Sequence, residues 1–156
     1  MKRKPAEFLA LFALLAVTLA VGFIASLVTT PNIPGWYEAL HKPSFNPPNG
    51  VFAAVWTALY VLMAVSAWRV WRKAGLRPLW LYVLQLALNG VWSFIFFGAH
   101  ATGAALTEII LLFILVLATM RSFWDRDLIA GLLFMPYAAW VLFAGVLNGA
   151  IWRLNG

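Results

Sequence analysis

The composition of this chain excludes a water-soluble globular protein. Of its 156 residues, 64% are hydrophobic and only 10% are charged, and the mean hydropathy is +0.89. Soluble domains are about 45–50% apolar and ~25% charged, so we predict that lipid is the solvent of this protein. The sequence contains no cysteine, which excludes disulfides, thiolate metal ligands and cysteine nucleophiles.

Five apolar stretches are each long enough to cross the hydrocarbon layer, which takes about 20 residues of helix. The predicted helices lie at about residues 7–29, 48–70, 79–99, 102–121 and 128–152. The links after the second, third and fourth helices are short, and short links place consecutive helices antiparallel. We therefore predict an all-α membrane protein, a single domain over residues 1–156 that folds as an antiparallel five-transmembrane-helix bundle.

The first predicted helix follows Lys2, Arg3 and Lys4, as the apolar core of a signal peptide would. It is longer than the about 7–15 residues of such a core, so we interpret it as a retained helix. With a cytoplasmic N-terminus, nine of the eleven Lys and Arg lie inside, and only Lys42 and Arg153 lie outside. For a bacterial inner membrane we therefore predict a cytoplasmic N-terminus, and we do not expect nucleic acid as a partner despite the net charge of +6.

The only long connection covers about residues 30–47. Its segment from Trp36 to Pro48 carries three aromatic residues and three prolines, namely Trp36, Tyr37, Phe45, Pro43, Pro47 and Pro48. Proline restricts the backbone and removes a donor, while the aromatic rings need an apolar surface. We predict a rigid aromatic lid over a pocket in the bundle. Asn46-Pro47 is typical of an N-cap followed by a first helical proline, which predicts that the lid is tied to the second helix.

Polar side chains lie on one face of the third predicted helix. Gln85, Asn89 and Trp92 are spaced at i, i+4 and i+7. One interpretation is hydrogen bonding between helices, worth ~0.6 kcal/mol on average. The other is that these groups line a cavity whose remaining wall is aromatic.

Aromatic residues form faces on two further helices. Tyr137, Trp140, Ala144 and Asn148 share a face of the fifth helix, and Phe52, Trp56, Leu59 and Tyr60 share one of the second. Ordinary packing or interfacial belts are the alternative to a pocket. Trp56 and Trp140 lie well inside their predicted spans, so a belt explains them less well.

Small residues favour close helix contacts at two places. Thr18, Gly22 and Ser26 form a ridge on the first helix, and Gly145 and Gly149 make a GxxxG motif on the fifth. The motif is compatible with packing inside the bundle or with dimerisation.

Ionisable groups inside the spans are rare. Apart from Glu7 at the very start of the first span, Glu108 is the sole carboxylate within a predicted span, where we expect snorkelling or a polar contact between helices, with a functional site as the alternative. His41 and His100 both lie in connections, and no spacing of His, Asp and Glu suggests a metal site.

Several separate motifs follow one another along the chain. They are Trp36-Tyr37-x-x-Leu40-x-Lys42-Pro43-x-Phe45-x-Pro47-Pro48, Val55-Trp56-Thr57-x-Leu59-Tyr60, Gln85-Leu86-Ala87-Leu88-Asn89-x-x-Trp92, Phe96-Phe97-Gly98 and Pro136-Tyr137-x-x-Trp140-x-x-Phe143-Ala144. In this order they resemble the translocator protein / tryptophan-rich sensory protein family (TspO/MBR). The resemblance covers nearly the whole chain.

The resemblance implies frequent homodimers and an apolar pocket beneath the first long loop. It implies that porphyrins, including protoporphyrin IX and haem, bind there as ligands together with related flat apolar molecules, with no obligatory cofactor and no metal site. The ligand-binding positions carry over as Trp56, Gln85, Asn89, Trp92, Tyr137, Trp140 and Ala144, with Trp36 and Phe45 near the mouth. Gly149 stands where animal members have the tyrosine of a sterol motif, which argues against sterol binding through that motif.

Three functions remain open at this stage. The first is a binding or regulatory membrane protein for tetrapyrrole handling or stress signalling. The second is a transporter of tetrapyrroles or other small molecules. The third is an enzyme that degrades porphyrin with light and oxygen, for which the resemblance implies Trp56 and Trp140 as photochemical candidates and no firm catalytic residue.

Overall fold

The computed structural model describes residues 3–156, with side chains from residue 5 onward, so the predicted inner-side charges of Lys2, Arg3 and Lys4 lie outside the described part. Five long helices follow one another as α1 Arg3–Asn32, α2 Asn49–Ala74, α3 Trp80–Ser93, α4 Thr102–Trp124 and α5 Leu128–Asn155. Short turns extend α3 at both ends, Arg77–Leu79 before it and Phe94–Gly98 after it.

Each of the five helical spans is long and apolar enough to cross a membrane. The described residues contain no strand. The predicted all-α five-helix bundle is therefore confirmed, and the chain is an integral multi-pass membrane protein.

The helices form a closed ring. α1 packs against α2 and α3, α2 packs against α5, and α4 packs against both α5 and α3. Two buried clusters fill the ring, one near the connection between α1 and α2 and a larger one extending toward the opposite end. We call the end with that connection the lid end.

Helical structure continues further into the first connection than expected. Pro31 lies inside α1, where a helical φ suits proline at the cost of one backbone hydrogen bond. A kinked turn, Ile33–Tyr37, follows, in which Pro34 has ψ 135° and Gly35 has φ 90°. Because L side chains are strained at such a positive φ, glycine suits this position. The non-helical part of the lid is thus limited to residues 40–48.

The predicted N-cap at Asn46 is wrong. α2 begins at Asn49, after Pro48 with φ −59° and ψ 145°. Pro47 precedes another proline, and the residue before a proline is pushed away from helical geometry, so the helix starts after the pair. The Asn46 side chain instead accepts a hydrogen bond from the Tyr37 hydroxyl over 2.9 Å.

The GxxxG motif packs inside the bundle. A Cβ added at Gly145 would lie 3.7 Å from Ile109, and one at Gly149 would lie 3.7 Å from Leu106, both on α4. Of the two alternatives, the structure therefore shows close packing of α5 on α4. Gly22 of the other small-residue ridge lies directly against the ring of Tyr60.

Candidate functional site

A cavity of about 430 Å³ lies inside the ring at the lid end. All five helices contribute to its wall, together with Ile33 and Tyr37 of the kinked turn. The lining residues include no charged side chain. This volume falls within the about 300–1,000 Å³ of small-molecule sites, which are mostly apolar with a few polar groups.

Four of the predicted ligand-binding residues line this cavity. They are Trp56, Asn89, Trp92 and Ala144. Ala144 leaves open space among the surrounding rings because its side chain is small. The structure thus brings together predicted residues from α2, α3 and α5 on one cavity wall.

Gln85 and Tyr137 stand behind the wall in a buried hydrogen-bond chain. Tyr60 donates to Asn89 Oδ1 over 2.6 Å, and Asn89 Nδ2 donates to the Tyr137 hydroxyl over 3.1 Å. Tyr137 in turn donates to Gln85 Oε1 over 2.7 Å. Gln85 and Tyr137 are fully buried, so they hold Asn89 in position and do not reach the cavity.

A second polar contact joins α3, α5 and α4. Trp92 Nε1 donates to Asn148 Oδ1 over 3.1 Å, and Asn148 Nδ2 donates to the Thr102 carbonyl over 2.8 Å. Both interpretations of the polar face of α3 therefore hold, because Asn89 and Trp92 bond between helices and also line the cavity.

Trp140 lies next to the cavity wall. Its ring meets Trp56 edge-on at 6.5 Å and Phe52 at 5.9 Å. Its indole N–H is enclosed and has no hydrogen-bond partner among the described residues. Trp140 therefore supports the Trp56 ring from behind.

The lid residues Trp36 and Phe45 anchor the lid and do not line the cavity. Trp36 stacks on His100 with ring centroids 4.1 Å apart and planes 11° apart, and Phe45 packs on Phe143 at 6.3 Å. The backbone of His41 exchanges two hydrogen bonds with the Asn155 side chain, of 3.0 and 2.9 Å. The lid is thus fastened to the link between α3 and α4 and to α5.

The cavity is open between α1 and α2. Among its lining residues, Phe23 is 65% exposed, and Thr57 and Asn49 are also exposed. The surface between these helices faces lipid in a five-helix membrane bundle. A flat apolar ligand can therefore reach the cavity from the bilayer.

Some lining residues were missed as site residues from the sequence. They include the polar residues Ser93 and Asn148 and the aromatic residue Phe52. Ser93 follows Asn89 by four positions on the same helix face, which is the signal that could have found it. Asn148 was assigned to the correct face of α5 but not to the site.

The predicted environment of Glu108 is wrong. Both of its carboxyl oxygens are enclosed and have no hydrogen-bond partner within residues 3–156, so it neither snorkels nor makes a polar contact between helices. It does not line the cavity. Over the same part of the chain, no three His, Asp or Glu side chains lie together as metal ligands would.

Comparison with known proteins agrees with this architecture. The TspO/MBR family matches residues 13–153. The chain belongs to the TspO/MBR family. The resemblance that the motifs indicated is therefore confirmed.

Relatives of the TspO/MBR chain occur in bacteria, archaea and animals. Protein CrtK of Rhodobacter capsulatus is 40% identical over 152 residues, covering 94% of each chain. Tryptophan-rich protein TspO of Archaeoglobus fulgidus is 38% identical over 152 residues, covering 96% of this chain and 99% of its own. The human translocator protein is 40% identical over 126 residues, covering 77% of this chain and 75% of its own.

Proposed function

We propose that this protein binds porphyrins and related flat apolar molecules in the cavity at the lid end, as a binding and regulatory protein. The observation that carries the proposal is a cavity walled by Trp56, Trp92 and neighbouring rings, with amide groups and no charge. Indole rings stack on flat aromatic ligands, and an uncharged wall suits a ligand that partitions into lipid.

The relatives support this proposal indirectly. They carry names such as tryptophan-rich sensory protein and translocator protein. A sensory role requires a ligand site, and a binding cavity that opens toward lipid meets that requirement. The turn Ile33–Tyr37, which leads into the lid, contributes Ile33 and Tyr37 to the cavity wall, and the exposed lining residues of α1 and α2 leave access on their side.

A fluorescence titration tests the proposal. Protoporphyrin IX added to the protein in nanodiscs is expected to quench tryptophan fluorescence saturably. The double variant Trp56→Phe with Trp140→Phe should bind more weakly while its helical content stays unchanged. Trp80→Phe is the matched control, since Trp80 is 62% exposed and does not line the cavity. Unaltered affinity in the double variant would exclude this assignment.

Light-driven degradation of porphyrin is a second candidate. It is favoured by the position of Trp56, whose oxidisable indole lines the cavity and meets Trp140 edge-on at 6.5 Å. Illumination of the protein with protoporphyrin IX and oxygen distinguishes the two functions. Loss of porphyrin absorbance well beyond one equivalent supports an enzyme, whereas bleaching no faster than in empty nanodiscs supports binding alone.

We further propose that the lid end faces away from the cytoplasm. The proposal is supported by Arg69, Arg72 and Lys73 near the end of α2 and by Arg121 and Arg126 near the link between α4 and α5, which all lie at the opposite end. Positively charged residues near span ends favour the cytoplasmic side. Thiol labelling of an introduced Cys at position 41, or cleavage of the lid by an added protease, tests this orientation in intact cells.

A further inference from the structure

Ser93 is a buried hydroxyl residue of the cavity wall whose side chain makes no hydrogen bond within the described part of the chain; Thr30, also in the wall, makes none either, but it is exposed. Ser26, Thr29 and Thr57 each donate to a backbone carbonyl of their own helix, over 2.6, 3.0 and 2.8 Å. Ser93 lines the same cavity and is only 9% exposed, yet its hydroxyl has no hydrogen-bond partner within residues 3–156. A hydroxyl left without a partner in an apolar site is costly, so a partner supplied by a ligand is favourable.

Ser93 lies at a change in helix type. Ser93 is the last residue of α3, and the chain then widens into the π-helical turn Phe94–Gly98. Serine inside a helix often bonds back to the carbonyl four residues earlier, and Ser93 does not. Its hydroxyl is available to the cavity instead.

Asn89 supplies a second free donor one helical turn away. Its side-chain oxygen accepts from Tyr60, and one of its two amide hydrogens is directed to Tyr137. An amide nitrogen carries two hydrogens, so one remains for a ligand. Asn89 and Ser93 lie on the same face of α3 because they are four residues apart.

The charge of the cavity restricts what these donors can bind. No lining residue is charged, so an ionised carboxylate inside would have no compensating cation and would be strongly disfavoured. An uncharged acceptor such as a ketone, amide or ester oxygen avoids this cost.

We propose that Ser93, together with Asn89, forms a hydrogen-bonding subsite for an uncharged carbonyl oxygen of the ligand, and that Ser93 determines specificity for such ligands. This inference rests on the proposed function, because it assumes that flat apolar molecules occupy the cavity. It adds the chemical class of the polar group that the cavity accepts.

Two neutral porphyrins test the subsite. Protoporphyrin IX dimethyl ester carries ester carbonyls, whereas etioporphyrin carries only alkyl groups. For Ser93→Ala in nanodiscs, the affinity for the dimethyl ester should fall about three- to tenfold, the loss expected for one hydrogen bond. The affinity for etioporphyrin should stay unchanged. Alanine favours helix, and etioporphyrin binding reports that the cavity of the variant is intact.

Ser122→Ala on α4, outside the cavity wall, is the matched control and should bind both porphyrins as the wild type does. Equal affinity of Ser93→Ala and wild type for the dimethyl ester overturns the subsite, as does an equal loss for both porphyrins. If the wild type binds neither porphyrin, the proposed function itself fails. The failure of the subsite and the failure of the proposed function are therefore distinguishable.

Discussion

The Tyr60 hydroxyl donates a 2.6 Å hydrogen bond to Asn89 Oδ1 and so joins α2 to α3 at the inner wall of the cavity. Both residues line the cavity, and both are buried. The other side of the Tyr60 ring lies against Gly22 of α1. One tyrosine thus connects three helices of the ring and fixes the orientation of the Asn89 amide.

Gly22→Ala tests this junction. An added Cβ would lie 2.3 Å from Tyr60 Cε2, so the ring has to move and its bond to Asn89 weakens. We expect a loss of about 1–3 kcal/mol in the free energy of unfolding, typical of overpacking, and weaker porphyrin binding. Thermal unfolding in nanodiscs measures the first effect and fluorescence titration the second.

Gly50→Ala is the matched control for that variant. Gly50 lies in α2, and nothing stands within 4 Å of an added Cβ. Since alanine favours helix over glycine by about 0.5–1 kcal/mol, this variant should be as stable as the wild type or more so. A Gly22→Ala protein with wild-type stability and affinity would show that neither stability nor porphyrin binding depends on the observed position of the Tyr60 ring.

The surroundings of the Asp127 carboxyl group lead us to expect that stability depends on pH. Its burial alone would raise the pKa of the carboxyl, but hydrogen bonds from Arg69 and Lys73 and the charge of Arg69 outweigh this effect and hold the pKa below its ordinary value. A lowered folded-state pKa stabilises the fold above the unfolded pKa of about 3.9, and this stabilisation is lost as pH falls through the folded pKa. The midpoint temperature of thermal unfolding should therefore fall when the pH is lowered from about 5 to about 3.

Asp127→Asn should remove most of that pH dependence. At pH 7 we expect the variant to lose about 1–3 kcal/mol in the free energy of unfolding. The loss is limited because the Arg69 side chain is 26% exposed and can be solvated. Asp125→Asn is the control, because its pair with Arg121 is exposed on both sides. An acid transition that is identical in Asp127→Asn and wild type would assign the pH dependence to other groups.

The fastening of the lid predicts an effect on ligand exchange. Asn155→Ala removes both hydrogen bonds to the His41 backbone, so the lid should loosen and porphyrin should dissociate several-fold faster. Stopped-flow fluorescence measures the dissociation rate. Leu154→Ala changes an exposed neighbour and should leave the rate unchanged. The same rate in Asn155→Ala and wild type would show that ligands leave only between α1 and α2.

Much of the fold could be predicted from the sequence, since apolar run length alone identifies membrane helices. The end of α1 was less predictable, because Pro31 is compatible with a helix in its last turn and only the Pro34-Gly35 pair breaks it. The start of α2 was misjudged at Asn46, since the pair of prolines delays the helix until Asn49.

The site was only partly predictable for a different reason. Helical spacing identified Asn89 and Trp92 on one face of α3, and both line the cavity. Spacing cannot show depth, so Gln85 was grouped with them although it lies behind the wall. Trp36 stacks on His100, which is distant in sequence, and the sequence contains no signal for that contact.

Replacement of Glu108 is expected to stabilise the fold. Replacing its two enclosed, unpartnered oxygens by an apolar side chain removes a desolvation cost. We expect Glu108→Leu to raise the free energy of unfolding by about 1–3 kcal/mol, measured by thermal unfolding in nanodiscs. Thr107→Leu, at the exposed neighbouring position, should have little effect. Destabilisation by Glu108→Leu would mean that the carboxyl has a partner outside the single chain.

The most direct test of the account is to fill the cavity. Ala144 lines it, so Ala144→Phe places a ring in the space that a porphyrin would occupy, whereas Ala139→Phe places the same ring on the exposed face of α5. Titration of protoporphyrin IX into each variant and the wild type, with tryptophan quenching as the readout, should show binding lost only in Ala144→Phe. Wild-type affinity in a folded Ala144→Phe variant would contradict the claim that this cavity holds the ligand.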